Sequence, residues 1–230
     1  MTAKGVDGRP RVRGVSDSDM DRLLRLARRR TFRRGEVIFH EGDAADSVHV
    51  VQQGHVASQT TTEGGSTVTY RIFGSGEMFG LLGLQSGRTG RYGTAIALEP
   101  TVTHAISAER LREVWWADPA MTQLVVDLLA TEIRTFAAAL VEALFVPVET
   151  RVLRRIVDLC DLYGGGTGTA TIPLTQQDIA GLAGTSRATV NRVMKSLEDA
   201  GALRRRRSAF IVVDLDAVAT AIQNARPASR

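Results

Sequence analysis

The chain has 230 residues, 43% of them hydrophobic, with a formal net charge of +4. That is enough apolar material for one or two domains with real cores, and no apolar run approaches the ~18 residues of a membrane span. The single Cys160 excludes an internal disulfide and any four-cysteine iron–sulfur or zinc site supplied by one chain.

The first segment, MTAKGVDGRPRVRG, lacks the apolar stretch of a secretion signal. A cytoplasmic protein without membrane contact is therefore expected. Charge is unevenly spread. Residues 1–34 hold 11 Lys/Arg against 4 Asp/Glu, residues 35–170 hold 9 against 16, and residues 171–230 hold 9 against 5. The basic N-terminal block reads equally as a solvated arm or as a polyanion contact.

Residues 1–14 read as a disordered basic arm. Ser16 with Asp19 forms a capping box, which predicts a helix from Asp17 to about Arg29 with Met20, Leu23, Leu24 and Leu26-Ala27 on its apolar side. From Thr31 to Ser107 the texture becomes β-rich: VIFH, SVHVVQQG, HVASQT, TVTYRIF, YGTAIAL and VTHAIS, separated by glycine turns. Many short strands with regular turn signals predict a barrel or jelly roll.

Ala108–Trp116 is a short helical piece stopped near Asp118-Pro119. Ala120 to about Phe145 is the longest helical pattern. Leu129, Ile133, Phe136, Leu140 and Ala143 recur at the 4-3-4-3 spacing of a two-stranded seam, which predicts a parallel homodimer. Val125, Val126, Val141 and Leu144 extend the apolar surface sideways, so the helix can also pack on its own β-domain. Pro147 ends it. Glu149–Tyr163 is amphipathic, and the glycine-rich segment 164–168 reads as a flexible loop.

The most informative stretch follows: LTQQDIAGLAGTSRATVNRV, Leu174 to Val193. Two helical patterns flank the Ala183-Gly184-Thr185-Ser186 junction, the layout of a helix-turn-helix that places side chains in the DNA major groove. Thr175 with Asp178 forms a capping box for the first helix, and Thr185 or Ser186 caps the second, which runs to about Ala200 before Gly201. Leu203–Asp214 reads as two strands joined at Arg204-Arg205-Arg206-Arg207-Ser208, a wing. Leu215–Asn224 adds a last helix.

This order resembles the cyclic AMP receptor protein/FNR (CRP/FNR) family of bacterial transcription regulators. The likeness spans about Phe32 to Asp214. It is carried by LTQQDIAGLAGTSRATVNRVMKSLEDAGAL, by the signatures FHEGD and GEMFGLLGL, and by the segment around Arg151. The resemblance implies an α+β chain: a disordered arm at 1–14, a cyclic-nucleotide-binding-type β-roll at 15–118, a dimerisation helix at 119–146 and a winged helix-turn-helix at 147–230. Double-stranded DNA, a second copy of the chain and RNA polymerase are the expected partners. A roll-based sensor acting through protein contacts alone is the competing class, and the C-terminal motif argues against it.

The resemblance places base-reading arginines on Arg187 and Arg192, with Asn191 within reach of the same groove face; arginine pairs bidentately with guanine. Ala188 stands where the cyclic AMP receptor has a glutamate that reads cytosine, so the half-site should depart from TGTGA or be looser at that pair. Thr175, Gln177, Ser186 and Thr189 match phosphate-touching positions. Lys195 and Arg204, Arg205, Arg206 and Arg207 add sequence-independent charge.

The resemblance also defines an effector pocket at Gly80, Leu81, Arg91, Tyr92, Phe136 and Ala137. The family's cyclic AMP binders have a Glu where this chain has Leu81, Arg-Ser where it has Arg91-Tyr92, and Thr-Ser where it has Phe136-Ala137. Unpaired polar groups cost about 1–3 kcal/mol each, so three such losses lower affinity by roughly 10³ to 10⁶. No cofactor is expected, and cyclic AMP is not expected as a tight effector. Leu81, Tyr92 and Phe136 either pack the cavity shut or line an apolar pocket. Arg91 anchors an anionic ligand or serves as a structural ion-pair partner. A cyclic dinucleotide outside the roll and a haem both stay open. Control is expected to rotate the DNA domains about Val146-Pro147-Val148.

His40, His49, His55 and His104 have spacings that match no compact metal motif, and they read as structural or surface residues. Cys160 reads as a buried small hydrophobe, and the FNR branch's N-terminal cysteine cluster is absent. No nucleophile–base pair or phosphate-cradling loop occurs, so no enzyme is read.

Overall fold

A computed structural model describes residues 17–84, 90–164, 169–206 and 209–225. The basic arm at 1–14, the Ser16 cap, the loop residues 165–168, and Arg207-Ser208 at the wing tip lie outside the described residues. The chain divides into two compact units. One holds the residues up to Thr60 with Tyr70–Phe136, the other Thr61–Thr69 with Ala137 onward.

In chain order the described elements are helix α1 (Asp17–Arg25) and strands β1 (Ala27–Phe32), β2 (Val37–Phe39), β3 (Ser47–Gln53), β4 (Val56–Thr61), β5 (Thr67–Phe73), β6 (Met78–Phe79), β7 (Thr94–Ala97) and β8 (Thr101–Ser107), of which the end of β4 and the start of β5 fall in Thr61–Thr69. They form two four-stranded sheets, ordered β1-β8-β3-β6 and β2-β7-β4-β5. Two elements correct the sequence reading. The first helix stops at Arg25 rather than Arg29, because Ala27–Phe32 pairs residue for residue with β8, from Ala27 opposite Ile106 to Phe32 opposite Thr101. A full ladder of backbone hydrogen bonds outweighs the modest helix preference of Arg28 and Arg29. The short β6 also carries no period of its own; it exists because Met78 and Phe79 pair with Val50 and His49.

β3 is buried on both faces, which is why SVHVVQQ reads as a run rather than an alternation. Val48 and Val50 join a cluster with Leu23, Leu81, Ile106, Leu111, Trp115, Met121 and Val125. Val51 joins Val56, Phe73, Phe79 and Ala95 in a second one. Full burial of each such side chain contributes about 1.5–3 kcal/mol.

Helix α2 (Ala108–Ala117) starts at Ser107, whose hydroxyl accepts from the Arg110 amide. Helix α3 (Pro119–Phe145) follows. Its predicted seam splits in two. Leu129 packs against the first cluster, and Phe136 meets Tyr70 and Tyr92 edge-on. Ile133 and Leu140 are 63% and 60% exposed, alongside exposed Val141, Leu144 and Phe145.

The second unit contains α4 (Val148–Gly164), β9 (Ala170–Ile172), α5 (Gln176–Ala183), α6 (Arg187–Asp199), β10 (Leu203–Arg206), β11 (Ala209–Val212) and α7 (Leu215–Asn224). Its sheet is ordered β10-β11-β9. The wing assignment needs correction: Arg204, Arg205 and Arg206 belong to strand β10, opposite Ile211, Phe210 and Ala209, rather than to the connecting loop. Leu203, Phe210 and Val212 anchor that pairing in the core, so the intervening arginines follow the strand.

Candidate functional site

Thr175 and Asp178 close a reciprocal capping box that fixes the start of α5. Gly184 ends the helix in the left-handed conformation at φ 59°, which glycine adopts without a Cβ penalty. Ser186 then caps α6, accepting from the Thr189 amide at 3.2 Å. Ile179, Ala180, Ala183, Val190, Val193, Met194 and Leu197 bury the contact between the two helices. Arg151, from α4, pins the turn: Nη2 donates to the Gly184 carbonyl at 3.3 Å and Nη1 to the Ala143 carbonyl at 2.7 Å.

This packing leaves Arg187, Ala188, Asn191, Arg192 and Lys195 exposed along one side of α6. The Ser186-capped N-terminus of α6, with its partial positive charge, lies at the Arg187 end. Ser186 and Thr189 share a hydroxyl contact of 3.1 Å. A concave surface of about 440 Å³ runs beside α6, lined by Thr175, Gln176, Gln177, Arg187, Arg205 and Arg206 among others. The structure thus brings Thr175, Gln177, Ser186, Arg187, Thr189, Asn191, Arg192, Lys195 and Arg204–Arg206 onto one unit.

Four residues that the sequence does not assign to DNA contact organise this surface. Glu149 binds Arg192 at 2.9 Å. Glu198 binds Arg205 at 2.6 Å, and the Arg205 guanidinium in turn donates to the Asn191 side chain at 2.7 Å. Gln176 lies between Arg187 and Asn191, at 3.4 and 3.2 Å. Arg151 holds the turn as described. Only tertiary packing sets these neighbours; the sequence signal for Gln176 was its place at the first helical position of α5.

In the roll, Arg91 is 3% exposed. Its Nη1 donates to the Gly80 carbonyl at 3.1 Å, and its Nη2 reaches Asp46 and Ser47, each at 3.2 Å. The guanidinium lies 3.9 Å from the Phe39 ring centroid. Burial lowers its pKa, and Asp46 opposes that shift. Gly80 is required here: at φ 87° an added Cβ would stand 2.8 Å from Arg91 Nη1. Leu81 is buried in the first core cluster. Tyr92, Tyr70 and Phe136 pack ring against ring at 5.6–6.1 Å. Ala137 is exposed on α3. The space left beside Arg91, Ser58, Phe73, Phe79 and Tyr92 is about 10 Å³, about one water-sized sphere.

A larger cavity of about 290 Å³ lies alongside, with Phe73, Leu81, Tyr92, Leu128 and Leu129 in its walls. Its polar lining is Arg71, ion-paired to both Glu77 and Glu132, with Thr131. Burial pushes the Glu132 carboxyl up, against the pull of Arg71.

The histidines are dispersed. His49 is buried between Ser47 and Thr103 and stacks on Phe79, His104 meets Gln52, His55 meets Glu99, and His40 is exposed. Among the described residues no group of three His, Cys, Asp or Glu is placed to hold a metal ion. Cys160 is buried, and burial pushes its thiol up to about 11, which suppresses the reactive thiolate.

Comparison with known proteins decides the family. Residues 29–116 match the cyclic nucleotide-binding domain family, and residues 150–220 match the Crp-like helix-turn-helix domain family. The CRP/FNR family is shown by these two matches in this order. This chain belongs to it. A CRP-like cAMP-activated global transcriptional regulator of Mycobacterium tuberculosis is 29% identical, over 90% of this chain and 93% of that one. A cyclic AMP receptor protein of Thermus thermophilus is 29% identical, over 86% and 89%. In fold, the c-di-GMP responsive global regulator CLP of Xanthomonas campestris superposes with a TM-score of 0.73 at 22% identity, over 86% of this chain and 99% of that one. The chain is thus a CRP/FNR-type DNA-binding transcription regulator. Among the described residues of this CRP/FNR chain, no helix is long and apolar enough to cross a membrane.

Proposed function

We propose that this CRP/FNR regulator works in the cytoplasm as a homodimer, reads DNA with α6, acts with RNA polymerase, has no catalytic activity and is not switched by cyclic AMP. The observation that carries the last point is the engagement of Arg91. Its guanidinium is already bound by Asp46, Ser47, the Gly80 carbonyl and the face of Phe39. A nucleotide phosphate would have to displace these partners in a space of about 10 Å³. Leu81 supplies no carboxylate for a ribose, Tyr92 stands where a serine would help hold the phosphate, and Phe136 offers adenine an aromatic surface where a hydrogen-bond partner is needed.

The relatives from M. tuberculosis and T. thermophilus are named for cyclic AMP; this chain departs from that function at these side chains. The exposed row of Ile133, Leu140, Val141 and Leu144 on α3 supports the dimer, since a patch of this kind on an isolated chain marks an association surface. Arg187 and Arg192 at the exposed start of α6 support base reading, with the two copies of α6 set about one helical turn apart on a near-palindromic site.

A second reading keeps the DNA surface and adds a small effector other than cyclic AMP, favoured by the 290 Å³ cavity lined by Arg71, Glu132 and Leu128. Gel-shift titration on randomised duplex DNA, with and without cyclic AMP, and calorimetry with the nucleotide test the proposal. Expected are specific binding without nucleotide and no calorimetric signal at micromolar cyclic AMP. Nucleotide-dependent binding would overturn the cyclic AMP reading, and absence of binding under both conditions would favour action through protein contacts.

A further inference from the structure

The side chains beside α6 form a hydrogen-bond chain with one direction. Arg205, on β10, is held by Glu198: its Nε and Nη2 donate to Glu198 Oε2 at 2.8 and 2.6 Å, and its backbone N–H donates to Oε1 at 3.3 Å. Its remaining arm, Nη1, donates to Asn191 Oδ1 at 2.7 Å. A guanidinium has no acceptor. The Asn191 atom facing it must therefore be the oxygen, which fixes the orientation of that carboxamide. Gln176 Nε2 donates to the same oxygen at 3.2 Å, and Gln176 Oε1 accepts from Arg187 Nε at 3.4 Å.

The consequence concerns base choice. A carbonyl oxygen has two lone pairs, and both of those on Asn191 are taken, one by Arg205 and one by Gln176. What Asn191 has left for a base edge is its NH₂ group, a donor. Asparagine recognises adenine by using both ends at once, accepting from N6 and donating to N7. A donor alone suits guanine, whose O6 and N7 are neighbouring acceptors, or the O4 of thymine; on adenine it reaches N7 only and leaves the adjacent N6 donor without an acceptor. In the same way Arg187 spends Nε on Gln176 and keeps its two terminal nitrogens for a guanine edge.

We infer that Arg205 is a positioning residue that sets Asn191 as a donor only, and so selects guanine or thymine over adenine at the base Asn191 faces. This rests on the proposed reading of DNA by α6. It reassigns Arg205 from a general charge near phosphate to a determinant of specificity. Its charge is already matched by Glu198, and its free geometry is spent on Asn191.

The test measures binding of the full-length protein to duplex pools randomised around its selected site, at several salt concentrations. The proteins are the parent, Arg205→Ala, Glu198→Gln, Asn191→Ala, Arg187→Ala, and Arg205→Ala combined with Asn191→Ala. In Arg205→Ala, adenine should gain about tenfold against guanine and thymine at one symmetric pair of positions, the worth of a bidentate asparagine–adenine contact. Other positions should keep their preferences, and the salt slope should stay unchanged. Glu198→Gln should move the same position in the same direction by less. With Asn191 already alanine, removing Arg205 should change nothing at that position.

A uniform loss of affinity in Arg205→Ala with the salt slope reduced by about 1 is the behaviour of a phosphate contact, and it would overturn the inference. So would a base preference that Asn191→Ala alters and Arg205→Ala does not; α6 would then still read DNA. If Asn191→Ala and Arg187→Ala both left every preference unchanged, the reading by α6 would itself fail. Should Arg205→Ala not fold, Arg205→Lys keeps the charge and loses the fork that spans Glu198 and Asn191. The same adenine gain is then expected, and its absence would overturn the inference.

Discussion

Glu149, in the first turn of α4, holds the Nη2 of Arg192 at 2.9 Å, although both side chains are more than half exposed. One of the two arginines assigned to base reading is therefore occupied by a carboxylate of its own unit in the structure. DNA binding must exchange that partner for a base edge. An exposed pair of this kind is worth about 0.2–1 kcal/mol. Glu149→Gln is expected to raise affinity for specific DNA by up to about fivefold without changing base preference, as read by fluorescence anisotropy. A loss of affinity would mean that Glu149 presents Arg192 to the DNA rather than competing for it.

Arg187 and Arg192 carry the sequence-specific contacts in the proposed function. Each bidentate guanine contact is worth about 1–3 kcal/mol. The double variant Arg187→Ala, Arg192→Ala is expected to lose about 10² to 10⁴ in affinity for the selected site. It should bind random duplex with only the charge-dependent part reduced. Competition gel shifts against random DNA measure both quantities, and parent-like selectivity would remove α6 as the reading element.

The capping box that starts α5 should be felt in stability. Thr175 accepts from the Asp178 amide, and its own amide donates to the Asp178 carboxylate at 2.7 Å. Thr175→Ala removes half of this reciprocal pair, and the expected cost is about 0.5–2 kcal/mol. Urea unfolding monitored by circular dichroism reads the change. An unchanged midpoint would show that the buried packing of Ile179 and Ala180 holds the helix start without the cap.

His49 gives the roll a pH dependence. Burial first, then Arg91 and Arg30, push its pKa from 6.5 down to about 3. Between those two values the unfolded chain takes up a proton that the folded one refuses. Stability therefore falls as the pH falls below about 6.5, by up to about 1.4 kcal/mol per pH unit. His49→Gln removes the titrating group, so its unfolding free energy should decline less steeply between pH 6.5 and 4.5. Parallel slopes for parent and variant would assign the acid sensitivity to other groups.

The exposed row on α3 is expected to be covered by a second copy. Leu140, 60% exposed, sits at a seam position. Leu140→Glu would place two carboxylates against each other across a parallel seam. Sedimentation velocity should then show a shift from dimer to monomer at micromolar protein, and a dimer as tight as the parent's would move the interface elsewhere.

The sequence by itself determined the elements whose chemistry is local. Thr175 with Asp178, Gly184, Ser186 and Gly201 mark both helices of the DNA motif, because caps and left-handed turns depend on residues within four positions of one another. The apolar spacing of α3, and the roll strands from Val37 onward other than β6, follow in the same way from local composition and turn signals. Tertiary structure decided whatever needed a distant partner. Ala27–Phe32 became a strand only because β8 offered a ladder, and Arg204–Arg206 became one because Leu203 and Phe210 are anchored in the core. Arg91 was legible as a phosphate candidate or an ion-pair partner; its burial against Asp46, Gly80 and Phe39 required residues 11 to 52 positions away to converge on it. The pairing of Arg192 with Glu149, and the direction of the Arg205–Asn191–Gln176 chain, likewise arise from contacts across the fold, where sequence spacing carries no signal.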